Sequence, residues 1–161
     1  MNEVKGIEFV AGGAELLPRV RPLWEELNRH QRGLSTHFAD RFAGFSFSFR
    51  EAALLEKARR GAVRIELAVL PGVGDAAYCA GSVQSNGDGE IDSLFVDERF
   101  RGRGIGSELV RRALDWMDGE GALARSVVVA EGNERARAFY ARFGFLPFSV
   151  TLARRDPARR G

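Results

Sequence analysis

The sequence predicts an α/β fold of the α+β type, in which helices pack on a mixed sheet. Three observations lead to this prediction. Residues 62–70 alternate between apolar and other side chains, as in a strand, and 126–130 form a continuous apolar run typical of a strand covered on both faces. Between them, residues 104–118 carry apolar side chains at helical spacing. Antiparallel hairpins followed by a crossover helix require a sheet that contains both strand directions.

The N-terminal half is predicted to hold one short strand and two helices. Residues 6–10 are typical of a strand, and an apolar stripe at helical spacing runs through 14–30. Pro22 indicates that this helix begins near it, because proline is tolerated in the first turn of a helix but not in its interior. Residues 33–49 are predicted to be irregular, and a short helix is predicted over 50–60.

The C-terminal half is predicted to add strands, a helix and a final strand. The segment SNGDG is a strong hairpin signal between strands at 76–84 and 90–96. A helix is predicted over 134–143, with Gly144 as a left-handed cap. The segment FLPFSVTLA is predicted as the last strand, which gives the order β-α-α-β-β-β-α-β-α-β.

Length and charge set further limits. The 161 residues suffice for one domain with its own core, so we expect 1–161 to be a single domain. The chain carries a net charge of +2, and the tail at 153–161 holds four arginines and one aspartate. The rest of the chain is therefore near neutrality, and a solvated basic tail explains the high isoelectric point. This balance argues against a nucleic-acid partner, which would favour a basic face across the fold.

Cysteine and histidine are scarce. Cys79 is the only cysteine, so an intramolecular disulfide and a cysteine-based zinc cluster are both excluded. His30 and His37 are the only histidines, and we expect no metal site. No segment has the length of about 20 apolar residues that a membrane span needs, and the N-terminus lacks a signal-peptide core. We therefore expect a cytoplasmic protein without a membrane partner.

The segment RGRGIG places glycines at the predicted start of a helix. A helix N-terminus presents backbone N–H groups without intrahelical partners, and glycine lets the backbone approach a ligand closely. Arg101 and Arg103 add charge-assisted donors, so the segment is suited to a pyrophosphate. The alternative is that Gly102 and Gly104 only make a tight turn.

Two common phosphate motifs fit this segment poorly. The Walker A pattern ends in Gly-Lys-Ser/Thr, and no such tripeptide is present here. The dinucleotide fingerprint Gly-x-Gly-x-x-Gly begins with Gly102 and Gly104 but fails at Ser107. Glu131 follows the next strand, roughly where a ribose-binding acid is expected. A nucleotide-dependent oxidoreductase therefore stays as an alternative.

A third pattern fits better. Arg101, Gly104 and Gly106 form Arg-x-x-Gly-x-Gly after a strand that ends in Leu94-x-Val96, and this resembles the acetyl-coenzyme A motif of the GNAT acetyltransferase superfamily.

A second motif supports the same resemblance. The segment EGNERARAFYARFGF, 131–145, is similar to the second motif of that superfamily, and the close resemblance extends over residues 88–152. One departure is Glu98, where relatives often carry proline in the hinge.

The resemblance implies a fold and a cofactor site. The sheet should splay between the strands at 90–96 and 126–130, with helices on both of its faces. The pantetheine arm of acetyl-CoA should lie in this opening along Leu94, Phe95 and Val96, with a peptide N–H near Phe95 or Val96 facing the thioester oxygen. The pyrophosphate should be held by the loop and helix start formed by Arg101, Gly102, Arg103, Gly104, Ile105, Gly106 and Ser107.

The resemblance also implies a reaction, the transfer of an acetyl group to a primary amine by direct nucleophilic attack. Tyr140 matches the usual acid, although it could instead be a core tyrosine. Asn133 would contact the cofactor, or cap the helix that follows, or do both. Glu90 and Asp92 lie two apart in a strand and so share a face, which makes each a candidate base. A chain of water molecules is the alternative.

The acceptor is the least defined part of the prediction. His30, His37 and five phenylalanines lie in or beside the irregular segment. Residues 30–50, and 38–49 above all, are therefore predicted to line the acceptor pocket. The alternative is that the phenylalanines cap the core or form a subunit contact. A small-molecule amine is favoured over a protein N-terminus or lysine. A non-catalytic acetyl-CoA sensor is the other alternative, and the resemblance is also compatible with a homodimer.

Overall fold

The computed structural model describes residues 6–156, which form two compact units. The first unit comprises the described residues up to Leu27 together with Ser46–Val128. The second comprises Asn28–Phe45 and the described residues from Val129 onward. Part of the predicted basic tail, 157–161, lies outside the described residues.

The first unit is built on a sheet of five strands, one fewer than predicted, and the sheet is mixed, as predicted. The strands follow the order of the chain, and β1 to β4 are antiparallel neighbours. The last pair, β4 and β5, is parallel. The strands are β1 (Glu8–Gly12), β2 (Ala62–Leu70), β3 (Gly74–Val83), β4 (Asp88–Val96) and β5 (Ala124–Val127).

Helices cover both faces of this sheet. On one face, Leu67 and Tyr78 join a core cluster with Trp24 and Leu54 from two helices. On the other face, Arg112 of the long central helix lies 4.0 Å from the carboxylate of Glu66. The helices on this sheet come from α1 (Leu17–Leu34), α3 (Phe47–Arg60) and α4 (Ile105–Gly119). The second unit contains the end of α1 together with α2 (Ala39–Ala43) and α5 (Glu134–Ala141).

Two helix boundaries differ from the sequence prediction. Helix α1 begins at Leu17 and contains Pro22, so the prediction that it begins near Pro22 was wrong. The side chains of Leu17 and Val20 are almost fully buried, and their burial outweighs the backbone hydrogen bond that Pro22 removes. The predicted irregular segment contains α2 and the first turn of α3, whose N-terminus is capped by the Ser46 hydroxyl.

Two strand predictions also need correction. No strand is assigned to the final apolar segment among the described residues, and its alternate side chains Leu146, Phe148, Val150 and Leu152 are exposed. An alternating pattern makes a strand only where a neighbouring edge accepts its hydrogen bonds. The strand expected at 126–130 instead spans Ala124–Val127 and is largely exposed, so it is not covered on both faces.

Strand β4 contains a β-bulge at Asp92. Ala80 of β3 pairs with Ser93 and Gly81 pairs with Ile91, which leaves Asp92 as the extra residue. A bulge of this kind shifts the alternation of side chains by one residue. Ser93 is therefore able to accept a hydrogen bond from the Tyr78 hydroxyl at 2.9 Å, on the face where the core cluster lies.

Helix α4 begins at a glycine in the left-handed conformation. Gly104 is the N-cap residue, with φ of 82° and no side-chain capping hydrogen bond. No heavy atom lies within 4 Å of the position that a Cβ would occupy. The glycine is thus required by its backbone conformation and not by lack of space.

We predict that Gly104→Ala lowers the free energy of unfolding by about 1–2 kcal/mol, because the left-handed conformation is strained in a residue with a Cβ. Gly119→Ala is the matched control. Gly119 also has open space at its Cβ position, but it has no positive φ, so its replacement should stabilise α4 by up to about 1 kcal/mol. Urea unfolding measures both changes, and equal changes in the two variants would contradict this explanation.

Candidate functional site

The C-terminal half of β4 has an open edge. Pairing with β5 ends at Ile91 and Val127, whereas pairing with β3 continues to Val96. β5 ends at Val127, so beyond Ile91 the edge of β4 that faced β5 has no β5 partner, as the predicted splay requires. Because no strand within residues 6–156 pairs with this edge, its backbone groups are suited to binding a ligand.

The alternation of the β3–β4 ladder identifies which backbone groups face the open edge. The N–H of Asp97 donates to the carbonyl of Ala76 at 2.8 Å, so the groups of Asp97 point toward β3. Backbone groups of successive residues in an antiparallel strand point to opposite edges. Phe95 therefore directs its N–H and C=O toward β3, and Leu94 and Val96 direct theirs toward the open edge.

Arg101 folds back onto the end of β4. Its Nε donates to the carbonyl oxygen of Val96 at 2.9 Å, and its guanidinium lies 5.5 Å from the centre of the Phe95 ring. In the structure the Nε of Arg101 makes this contact with β4, and the predicted contact of Arg101 with a phosphate stays a prediction. The consequence is that the Val96 carbonyl already has a donor, while the Val96 N–H points toward the open edge.

The start of α4 offers backbone donors beside this edge. The loop before the helix contains Gly102 and Gly104, both with positive φ and both with open space where a Cβ would lie. Arg103 stacks 5.4 Å from the Phe100 ring and contributes positive charge. The N–H groups of a first helical turn have no intrahelical acceptor, and the helix dipole favours an anion there.

Two further residues complete the helix start. Ile105 is buried and fixes the first turn of α4 against the core. Glu108, the acid of the first turn, forms ion pairs with Arg111 at 2.9 Å and with Arg112 at 3.0 Å. Its negative charge is thus compensated within the helix, and the helix start keeps the character of an anion site.

The two candidate bases are held by one lysine. Lys57 of α3 binds Glu90 at 2.7 Å, from Nζ to Oε2, and also binds Oδ1 of Asp92. The Asp92 side chain is fully buried, whereas the side chains of Glu90 and Lys57 are 34% and 28% exposed. Glu90 and Asp92 therefore lie on one face, as predicted, and Glu90 is the carboxylate that water reaches more readily.

The surroundings of this cluster shift two pKa values. Burial raises the pKa of Asp92 and outweighs the lowering caused by the Lys57 ammonium and the Ser82 hydroxyl. Burial lowers the pKa of Lys57, but hydrogen bonds to Asp92 and Glu90 more than offset it and raise the pKa overall. Lys57 is therefore an ammonium at neutral pH. Oδ2 of Asp92 is buried and has no partner with hydrogen-bond geometry in residues 6–156.

Sequence reasoning missed Lys57, although a signal was present. Leu54 lies one helical turn before Lys57 and is almost completely buried, so Lys57 lies on the face of α3 that packs on the sheet. A lysine on such a face needs a carboxylate partner, because a buried charge is costly without one.

The second unit contains Asn133 and Tyr140. Oδ1 of Asn133 accepts a hydrogen bond from the N–H of Ala136 at 3.1 Å, which confirms that it caps α5. Tyr140 is buried, with its ring 5.1 Å from the Phe139 ring and 5.8 Å from the Phe145 ring. The structure thus shows the capping role of Asn133 and the core packing of Tyr140, and the roles that the resemblance implies for both remain predictions.

The phenylalanine-rich segment 38–49 is divided between the two units. In the first unit, Phe47 belongs to the core cluster and packs 5.7 Å from the Trp24 ring, whereas Phe49 is exposed. In the second unit, the rings of Phe42 and Phe45 lie 5.6 Å apart. This segment therefore combines core packing with exposed aromatic side chains.

Part of the predicted solvated tail is paired in the second unit. Arg155 forms an ion pair with Asp40 at 3.0 Å and also donates to the carbonyl of His37. His37 and Asp40 lie in the segment 30–50, which was predicted either to line the acceptor pocket or to cap the core or a subunit contact. Arg155 therefore connects the tail to this segment.

Residues 6–156 contain neither a metal-binding cluster of side chains nor a helix suited to crossing a membrane. This part of the chain holds no group of three or more histidine, cysteine, aspartate and glutamate side chains with metal-binding geometry. None of the described helices combines the length and the apolarity that crossing a bilayer requires.

Known proteins resemble the segment that carries this site. The model of the Acetyltransferase (GNAT) family matches residues 72–145. A mycothiol acetyltransferase from Beutenbergia cavernae is 40% identical over 80 residues, which cover 48% of this chain and 27% of that protein. The chain spans between 25% and 36% of the length of the curated relatives that it matches.

Solved structures resemble nearly the whole chain. A GCN5-related N-acetyltransferase from Ralstonia eutropha JMP134 has a TM-score of 0.71 at 22% identity, covering 92% of this chain and 98% of that one. An aminoglycoside N-acetyltransferase solved in complex with CoA has a TM-score of 0.66 at 16% identity, covering 97% and 98%. At these identities the likeness establishes the fold. The segment that carries the candidate site, residues 72–145, is similar to the GNAT acetyltransferase family, and the fold of the chain matches that of solved acetyltransferases.

Proposed function

We propose that this protein transfers the acetyl group of acetyl-CoA to a primary amine, with a small-molecule amine as the favoured acceptor. The observation that carries the proposal is the open edge of β4, which leads directly into the glycine loop and the start of α4. One half of this site suits an extended, amide-containing arm, and the other suits a pyrophosphate.

The cofactor would bind in two parts. Its pantetheine arm would pair with the outward groups of Leu94 and Val96, because these backbone groups have no β5 partner. Its pyrophosphate would lie against the backbone from Arg101 to Ser107, where Gly102 and Gly104 leave open space. Asn133 would contribute a contact in addition to capping α5.

The Val96 N–H is the best candidate for binding the thioester oxygen. The sequence left both Phe95 and Val96 open for this role. Because Asp97 is bonded to β3, the Phe95 N–H is also directed to β3 and the Val96 N–H is directed to the open edge. A backbone donor already aimed at the oxygen stabilises the negative charge that develops on it during the reaction.

The reaction balances without a metal ion or an external reductant. The neutral amine nitrogen attacks the acetyl carbonyl carbon, so a C–N bond forms and the C–S bond breaks. Starting from the ammonium form, the nitrogen loses one proton to Glu90 through a chain of several water molecules that extends along β4, and Glu90 later releases it to solvent. The departing thiolate takes a proton from Tyr140, the acid that the family resemblance assigns, and Tyr140 recovers the second proton of the nitrogen.

Glu90 is the proposed base because its side chain is partly exposed, whereas Asp92 is enclosed. Lys57, Glu90 and Asp92 together carry one net negative charge when all three are ionised. That charge attracts a cationic amine to the proposed base. Relatives named for mycothiol and aminoglycosides support a small-molecule acceptor.

A binding and turnover experiment tests the proposed function. Saturating CoA or acetyl-CoA should raise the midpoint of thermal unfolding, since a ligand at 100 times its Kd stabilises the folded state by about 2.7 kcal/mol. NAD and ATP should not. With acetyl-CoA and a panel of amines, free thiol should appear. Stabilisation by NAD but not by CoA would refute the proposal, and CoA binding without turnover for any amine would favour the non-catalytic sensor.

We predict that Glu90→Gln lowers turnover by about 100-fold or more, because a positioned general base contributes about 10²–10⁴. The acid limb of the pH–rate profile should also flatten, while the Kd for CoA stays unchanged. Glu56→Gln is the matched control, because Glu56 is a carboxylate of α3 that pairs with Arg59 and Arg60 and does not touch the cluster. Near-normal turnover of Glu90→Gln with an unchanged acid limb would remove Glu90 from the mechanism.

A further inference from the structure

Lys57 links α3 to the strand that carries both candidate bases, and the reaction described above assigns it no role. Its Nζ lies 2.7 Å from Glu90 Oε2 and also binds Asp92. The backbone around it is fixed as well, because its carbonyl accepts the N–H of Gly61 at 2.9 Å in the C-terminal cap of α3. The ammonium is therefore held against the two carboxylates by a rigid helix end.

We propose that Lys57 is a positioning residue that holds Glu90 and Asp92 as an ionised pair, and that it thereby sets the lower pH limit of acetyl transfer. The inference rests on the proposed function, since it concerns the base of that reaction. It adds Lys57, a residue that lies outside both sequence motifs of the family resemblance.

The charges of the cluster explain why a cation is needed. Glu90 and Asp92 are two residues apart in β4, and the Asp92 side chain is fully buried. Two carboxylates that share a site cannot both stay ionised at low cost, and a neighbouring ammonium removes that conflict. Without Lys57, a proton would bind to the pair at higher pH and the proposed base would be lost there.

The other polar groups near the cluster do not replace this ammonium. The thiol of Cys79 in β3 interacts electrostatically with Asp92. Burial raises the pKa of this thiol, so the thiol is neutral. Tyr78 of β3 is kept neutral in the same way, because burial raises the pKa of its phenol, and its hydroxyl donates to Ser93. Ser82 contributes only a hydroxyl beside Asp92.

Two more charged side chains lie on neighbouring elements. Arg50, also on α3, interacts electrostatically with Tyr78. Glu66 of β2 is buried and adds negative charge near Cys79. The carboxylate pair therefore receives its direct hydrogen-bonded cation from Lys57 within the described part of the chain.

Asp92 and Glu90 differ in burial, and this difference gives Lys57 a second effect on the carboxylate pair. It anchors Asp92, which is enclosed, and at the same time orients Glu90, whose side chain is one-third exposed. The enclosed carboxylate then works as a fixed counter-charge, and the exposed one is aimed at incoming water or amine. Both effects disappear together if the ammonium is removed.

We predict that Lys57→Met moves the acid limb of the kcat/KM profile upward by about one pH unit or more, because an opposite charge within about 4–6 Å lowers a carboxyl pKa by roughly 1–3 units. Lys57→Arg should restore the limb. Arg60→Met is the matched control, since it also removes one positive charge from α3 but pairs with Glu56 and not with the cluster. Its acid limb should stay in place.

A second variant and a second readout separate charge, folding and activity. Lys57→Gln keeps a hydrogen-bond donor without the charge, and it replaces Lys57→Met in the comparison if that variant does not fold. Carbon-13 NMR titration of the Asp92 and Glu90 carboxyls tests the same effect without an acceptor or turnover. If the carboxyl pair binds its proton at higher pH in Lys57→Met or Lys57→Gln than in the unchanged protein, the inference is supported. This holds even if no acceptor is acetylated, because a lack of turnover counts only against the proposed function. The inference is overturned if the two carboxyls titrate at the same pH with and without the Lys57 charge. It is also overturned if the acid limb of the pH–rate profile stays in place while turnover is normal.

Discussion

The end of β4–β5 pairing after Ile91 is the constraint on which the rest of this site depends. Up to that residue β4 is paired on both edges, and beyond it β3 is its only strand partner among the described residues. A strand with one free edge must find partners for every second N–H and C=O group. Arg101 supplies one by donating to the Val96 carbonyl, and the remaining outward groups are suited to an extended ligand that contains amides.

Opposite charges lie near the two ends of β4. The glycine loop and Arg103 lie after its C-terminal end and favour an anion, whereas Lys57, Glu90 and Asp92 give one net negative charge near its beginning. Glu90 and Val96 are six residues apart, which corresponds to roughly 20 Å along a strand. At physiological ionic strength this exceeds the screening length of about 8 Å, so the two ends attract their ligands almost independently. This polarity suits an anionic cofactor and a cationic acceptor.

The sequence was informative wherever a local pattern decides the structure. The mixed sheet, α4, the hairpin signal, the Asn133 cap and the left-handed Gly144 were all predictable, because periodicity and capping act over a few residues. The final segment misled the prediction. Its alternation is typical of a strand, yet a strand also needs a neighbouring edge, and that depends on distant residues.

In the candidate site too, local patterns were predictable and contacts between distant residues were not. The glycine loop and the strand before it were found by their motif, and the shared face of Glu90 and Asp92 followed from their spacing. Lys57 was missed because it lies 33 residues before Glu90 in the chain, so only the packing of α3 on the sheet brings them together. The directions of the Phe95 and Val96 amides also needed the structure, because they depend on the register between β3 and β4.

The central claim is that acetyl-CoA binds along the open edge of β4 and at the start of α4. Amide hydrogen exchange with and without saturating CoA tests it most directly. We predict that CoA slows exchange at Val96 and through residues 102–106, while exchange of the Phe95 amide, which is directed to β3, changes little. Unchanged exchange from Leu94 to Gly106 at saturating CoA, or protection confined to the hairpin groove around Gly61, Gln84 and Leu123, would contradict it.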